Sequence, residues 1–267
     1  MQTYFLIAAA VLYLVCAFLP SRRGTLIAVV TAVAWLLHGV TLWFEVRAPG
    51  SLRLGFAAML SSALWVSVAA YWLENLNFGL DGLRRMVMPV AALAITLEAV
   101  FPGNLVQLQG RSPMFGWHIA IATLAYSTLT IAAFHAVLMA FQESRLHTRT
   151  ERGGFLAAAL DQLPALLTME KLLFRMIGFG FVLLSLTVLS GIVFSEQLFG
   201  LALKWDHKTV FTLLSWVLFA ALLAGRHWRG WRGKTALSFT LAGFATLLLA
   251  YVGSRFVFEV VLHRGFA

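Results

Sequence analysis

An all-α, polytopic membrane bundle of about eight transmembrane helices is what this sequence predicts, and three observations predict it. First, 61% of the 267 residues are hydrophobic and 12% are charged, with a mean hydropathy of +0.86. That is more apolar surface than a soluble domain of this size can hide. Second, the apolar residues come in runs of roughly 20, which at 1.5 Å per residue cross about 30 Å of hydrocarbon. Third, the runs lack the apolar–polar alternation of barrel strands, so helices must satisfy the backbone inside lipid. The whole chain, 1–267, is expected to form a single integral membrane domain.

The expected spans are about 3–20, 25–45, 54–73, 86–101, 114–141, 175–195, 209–225 and 235–256, the fourth being the shortest. The first has no basic residue before it and Arg22-Arg23 after it. That order is wrong for a cleaved signal and right for an outside N-terminus, so the segment is expected to stay. Cys16, the lone cysteine, offers no disulfide, CxxC or zinc cluster and reads as buried packing. The second span carries His38. Arg84-Arg85 precede the fourth, which holds Glu98, read either as a buried functional group or, in preference, as hydrated near the outer surface or hydrogen bonded. Pro102-Gly103 and Pro113 bound the loop before the fifth span, which opens on Trp117-His118 and carries His135 further in.

A polar interruption runs from Gln142 to about Lys171. Its first part, "QESRLHTRTERGG", reads as a solvated linker. Residues 155–171 are apolar but broken by Asp161 and Pro164, and are expected to hold a helix lying on the cytoplasmic membrane surface. Asp206 is placed to cap the seventh helix, where a carboxylate suits the positive end of the dipole. Arg226, Arg229, Arg232 and Lys234 follow that helix. Trp43, Trp72, Trp117, Trp205, Trp228 and Trp231 fall near span ends, where indoles favour the interface. No internal repeat is evident.

The net charge of +9 is topological. Alternating the loops between two sides puts Arg22, Arg23, Arg84, Arg85, Arg145, Arg149 and the Arg226–Lys234 group on one side, with most of the Lys and Arg. The positive-inside rule makes that side cytoplasmic and both termini external. The basic excess faces anionic lipid headgroups, and nucleic acid is not expected as a partner.

Seven histidines are the residues most able to carry chemistry. His38 and His118 both lie in the outer half of the bilayer. Two readings stand for each: an interhelical hydrogen bond, or an axial ligand to a porphyrin iron, since neutral imidazoles bind iron and the two depths differ by about one helical turn. His118 and His135, about 25 Å apart on one helix, cannot share an iron. His135 reads as a structural hydrogen bond, His147 and His263 as solvated, His227 as cytoplasmic, and His207 as external and able to approach His118. No GxSxG, HExxH, Walker loop or dinucleotide fingerprint supports a conventional enzyme.

The stretch Trp205-Asp206-x-Lys208, then Leu214-x-Trp216, then Gly230-Trp231-Arg232-Gly233, with Gly243-Phe244 and Tyr251-x-Gly253 beyond, resembles the cytochrome c assembly membrane proteins of the CcsA/CcmC/CcmF superfamily. With Leu36-Leu37-His38, Trp117-His118, Leu124-x-Tyr126-Ser127, Met169-Glu170-Lys171 and the "LTVLSG" run ending at Gly191, the chain is most similar to the YpjD-type (HemX-like) inner-membrane proteins. The resemblance implies a multi-pass protein of the bacterial inner membrane. It implies non-covalent, b-type haem bound by His38 and His118, beside Trp117, Trp205 and His207. It also implies a role in delivering haem to apocytochrome c, or to other assembly subunits, on the outer side. The tryptophan- and glycine-rich portion that precedes Trp205-Asp206 in that family is missing here, and His227 is displaced from the family's ligand position. Haem attachment as a catalysed step is therefore not expected. The alternative is an accessory membrane protein that regulates a transporter or another membrane complex without haem.

Overall fold

The computed structural model describes residues 2–48, 51–107, 114–148, 160–199 and 205–262. Among them are eight helices: α1 (Gln2–Phe18), α2 (Gly24–Val46), α3 (Phe56–Phe78), α4 (Asp81–Val100), α5 (Met114–Thr148), α6 (Leu166–Phe199), α7 (His207–Arg229) and α8 (Gly233–Val261). Each expected span coincides with one of them. Six, namely α2, α3, α5, α6, α7 and α8, are long and apolar enough to cross a membrane, and α1 contains a shorter apolar helix, Tyr4–Phe18. The α4 helix falls outside that set because Asp81, Arg84, Arg85 and Glu98 interrupt its apolar content.

Two details extend the sequence reading. Three short antiparallel strands, β1 (Arg47–Ala48), β2 (Ser51–Leu54) and β3 (Asn104–Gln107), form a small sheet in that order. Strands of two to four residues are too short for alternation to reveal. Of the segment expected to lie on the membrane surface, residues 155–159 lie outside the described ones. Leu160 to Pro164 turn, and Leu166–Lys171 are the first turns of α6 itself.

The chain divides into two compact units, Met1–Gln109 with Arg152–Pro164 and Arg255–Ala267, and Gly110–Glu151 with Ala165–Ser254. In the first unit, α1 packs on α2 and α4, and α3 packs on α4 and α2, closing a ring of four helices. The α2–α3 seam is set by Trp35 and Trp65. Their rings stack at 4.7 Å and 6°, and each indole N–H donates to the other's carbonyl, at 3.0 and 2.9 Å. Gly39 makes the approach possible, because a Cβ there would sit 3.1 Å from the Trp65 ring. At the far end of α1 the fully buried Arg84 donates from Nη2 to the Leu19 carbonyl at 2.7 Å, placing a cation where the helix dipole is negative. The opposite end is closed by Glu259, whose Oε2 accepts from the Phe56 N–H at 3.4 Å, at the positive end of α3.

In the second unit, α5 packs on α6 and α8, and α7 on α6 and α8, again a four-helix ring. Two glycines on α6 receive side chains of α5. Gly180 faces Leu129, and Gly191 faces His118. Their common spacing of eleven residues is three helical turns, so both notches lie on one face and the two helices run antiparallel. The basic end is tied by Glu170 on α6, whose Oε1 pairs with Arg226 at 2.7 Å and Arg232 at 3.6 Å. The α7–α8 turn passes through left-handed Gly230 (φ 66°), and Trp231 folds its ring over Gly225. On α8 the ladder widens to a π-turn at Leu249–Gly253. The Tyr126 hydroxyl of α5 donates to the Leu247 carbonyl at 2.5 Å and accepts from the Tyr251 N–H. It thus occupies the place of one i→i−4 bond.

Candidate functional site

The α5–α6 seam places His118. Its Nδ1 lies 2.8 Å from the Ser190 hydroxyl, and that hydroxyl donates to the Thr187 carbonyl of its own helix at 3.1 Å. The ring edge rests 3.5 Å from where a Cβ on Gly191 would be, an ordinary van der Waals contact. The side chain is half-buried.

Antiparallel packing of α5 on α6 and of α6 on α7 brings the starts of α5 and α7 to the same end of this unit. The second pairing follows from Glu170–Arg226 at one end and the Trp216 indole donating to Ser185 at 2.8 Å further along. Trp117, Trp205 and His207, all named from the sequence, therefore share the end that holds His118. Trp117 is 71% exposed and Trp205 74%, and His207 is exposed on the first turn of α7. Asp206 caps α7 as expected, its Oδ1 accepting from the Thr209 N–H at 2.9 Å. Lys208 holds its ammonium 5.9 Å from the centre of the Tyr251 ring, a cation over an aromatic face at the same end.

His38 belongs to the other unit. It is 0% exposed, with Nε2 2.8 Å from the Ser61 hydroxyl and Nδ1 3.2 Å from the Tyr13 hydroxyl, whose ring stands edge-on to it. Both ring nitrogens are thus engaged. Three helices, α1, α2 and α3, meet at this one imidazole.

His135 is fully buried and its Nδ1 contacts the Ile131 carbonyl at 2.9 Å, the structural bond expected of it. Glu98 is 2% exposed, more deeply buried than a hydrated position near the outer surface. His147 lies near the end of α5, and His263 lies outside the described residues. Sequence reading did not single out Tyr13 or Ser61, and it named the run ending in Ser190-Gly191 for its resemblance alone, not as a neighbour of His118. Hydroxyls and glycines are common in apolar helices, and no motif marks the ones that meet a histidine from 23 to 73 positions away.

The fold and site define a class: a polytopic helical membrane protein with a half-buried imidazole at the end of a helical unit where two exposed indoles also lie. The chain belongs to the cytochrome c assembly protein family, whose pattern it matches over residues 4–262. It is similar to the inner membrane protein YpjD of Escherichia coli strain K12, with 29% identity over 179 residues, 67% of this chain and 65% of the relative. It is also similar to the cytochrome c biogenesis protein CcsA of Guillardia theta, with 29% identity over 52% of this chain and 50% of the relative. A third relative, CcsA of Synechococcus elongatus, is 29% identical over 60% of this chain and 48% of its own. Each match spans less than two thirds of the relative's length. No solved structure matches the chain.

Haem is the group this family implies, and the two histidines differ in how they suit it. The His118 imidazole is of the type that ligates iron, and one of its ring nitrogens is in hydrogen-bond contact with the Ser190 hydroxyl, a partner that can orient the ring. Among the described residues no three His, Cys, Asp or Glu side chains gather as a metal centre. A porphyrin, which brings its own equatorial nitrogens, suits a site supplied with single imidazoles. His38 takes an iron only by giving up Ser61 or Tyr13.

Proposed function

We propose that this protein binds b-type haem non-covalently in the bacterial inner membrane and holds it on the outer side for cytochrome c assembly. Apocytochrome c or other assembly subunits are the recipients. The observation that carries this reading is the half-buried imidazole of His118, its Nδ1 on the Ser190 hydroxyl, at the end of the unit that Trp117, Trp205 and His207 share. When bound, haem would supply a redox-active iron that takes imidazole as a ligand. The chain's own residues do the rest. His118 offers the ligand, the exposed indoles of Trp117 and Trp205 lie at the same end, and Lys208 stands there too as a cation suited to a propionate. His38, the second ligand expected from the sequence, lies in the other unit with its two ring nitrogens on Ser61 and Tyr13.

The protein is proposed to cross the membrane with its basic loops in the cytoplasm and both termini outside, which puts His118 on the outer side. The test is the visible spectrum of the purified protein with added haem. Histidine-ligated haem gives sharp bands, and His118→Ala should abolish or convert them, while His147→Ala leaves them unchanged. A wild-type protein that takes up no haem, or a His118→Ala variant with an unaltered spectrum, would overturn the reading. The accessory role without haem would then lead, favoured by the closed hydrogen bonding of His38.

A further inference from the structure

Arg84 is fully buried, and its surroundings leave its charge unanswered. Its Nη2 donates to the Leu19 carbonyl at 2.7 Å and, at a longer 3.4 Å, to the Ser21 hydroxyl. Nε and Nη1 are enclosed without a hydrogen-bond partner, which leaves most of the guanidinium's N–H groups unused. The Cys16 sulfur, close to the guanidinium, is only a weak acceptor. Among the described residues no carboxylate pairs with Arg84, and Asp81, on the preceding turn of α4, accepts instead from Asn75 Nδ2 at 3.3 Å. The Tyr71 hydroxyl, within range of the Arg84 charge, is also buried without a partner. A buried water takes up hydrogen bonds but leaves the cation unneutralised, and an uncompensated buried charge is strongly destabilising. The dipole end of α1 offsets only part of a unit charge. A surplus of donors around such a cation calls for an oxyanion, which supplies acceptor oxygens and the missing charge together.

We propose that Arg84 and Tyr71 form a buried oxyanion site at this end of the first unit, and that its ligand is a phosphate group, carried by a phospholipid headgroup or free in the cytoplasm. Phosphate has more acceptor oxygens than a carboxylate and can serve both the guanidinium and the hydroxyl. Arg84 stands in the first turn of α4, at the end proposed to face the cytoplasm. It has no exposed surface, so the ligand enters by a local opening. Turns open most readily, and the α1–α2 turn carries Ser21, the more distant of the two Nη2 partners. Ser21 also donates to Gln162 at 2.7 Å, so releasing Gln162 frees that hydroxyl to move aside.

Two measurements on the full-length protein in detergent test the site. In one, Tm is followed on titration with inorganic phosphate at constant ionic strength, with chloride as the balancing anion. In the other, the protein is reconstituted with phosphatidylglycerol and phosphatidylethanolamine and extracted again, and retained phospholipid is counted by native mass spectrometry. A Tm that rises with phosphate identifies the free ion, and phospholipid retained in a stoichiometric amount identifies the headgroup. In either case Arg84→Gln should abolish the effect, and Tyr71→Phe should weaken binding about 10-fold, as loss of a hydrogen bond to a charged group does. Arg229→Gln, a surface change in the other unit, should leave it unchanged. A wild type that responds to neither probe, or a response in Arg84→Gln or Tyr71→Phe equal to that of the wild type, would overturn the proposal and leave water as the partner of Arg84. If Arg84→Gln fails to fold, Tyr71→Phe, which keeps the buried ring, decides.

Discussion

At the scale of single residues, His38 and His118 look alike in the sequence, each an isolated histidine in an apolar run. Their surroundings separate them. His38 bridges Tyr13 and Ser61 in a fully buried setting, where a polar group left without a partner is costly. His38→Ala should therefore lower the stability of the haem-free protein by on the order of 2 kcal/mol, read as a drop in Tm in detergent. His118→Ala should leave Tm nearly unchanged without haem, since its ring is only half-buried. Equal Tm losses for the two variants would remove the distinction. The positions of both histidines were legible in the chain. Their partners were not, because Tyr13, Ser61 and Ser190 become neighbours only once helices pair, and rotation about a helix axis is weakly encoded when an apolar run faces lipid on one side and helices on the other.

At the scale of elements, the helix ends were the best-written part of the sequence. Asp206 ahead of a run of residues free of carboxylates reads as a cap and is one. Asp206→Ala should cost about 1 kcal/mol and Asp206→Asn much less, measured by thermal denaturation. An asparagine variant as unstable as the alanine variant would refute capping as the reason. Gly230 in the left-handed region makes a matching case at the other end of α7, where an alanine should cost about 1–2 kcal/mol from backbone strain. The start of α6 was harder to read. Asp161 and Pro164 mark a break, but nothing local distinguishes a helix that rests on a membrane from one that continues into it. The Glu170 pairing with Arg226 and Arg232, which ties the start of α6 to the α7–α8 turn, spans more than fifty positions of chain.

At the scale of the whole molecule, hydropathy alone carried the number and order of the helices, because lipid admits few other solutions for such a chain. It could not show the grouping into two four-helix units, since every apolar run satisfies the same length criterion whichever neighbours it meets. The proposed orientation gives a direct test. Reporter fusions at Arg23, Arg85, Glu151 and Gly230 should read as cytoplasmic, and those at Gly50, Asn104 and Ala267 as external. A cytoplasmic C-terminus would move His118 away from the side where cytochrome c is assembled, and the proposed role with it.

The paired notches on α6 turn the α5–α6 hairpin into a measuring rule. Leu129 and His118 are spaced to match Gly180 and Gly191, so the length of α5 between them is a dimension of the site, whatever residues fill it. Adding one alanine between Leu129 and His118 would swing the imidazole by about 100° around α5, away from Ser190, while Leu129 kept its seat. Adding four would return the ring to nearly the same face but about 6 Å along the axis, beyond the reach of the hydroxyl. Both insertions leave composition, hydropathy and span count intact, yet both should uncouple His118 from Ser190. Lengths between notches, as well as the identities of a few histidines, are what any functional copy of this hairpin has to preserve.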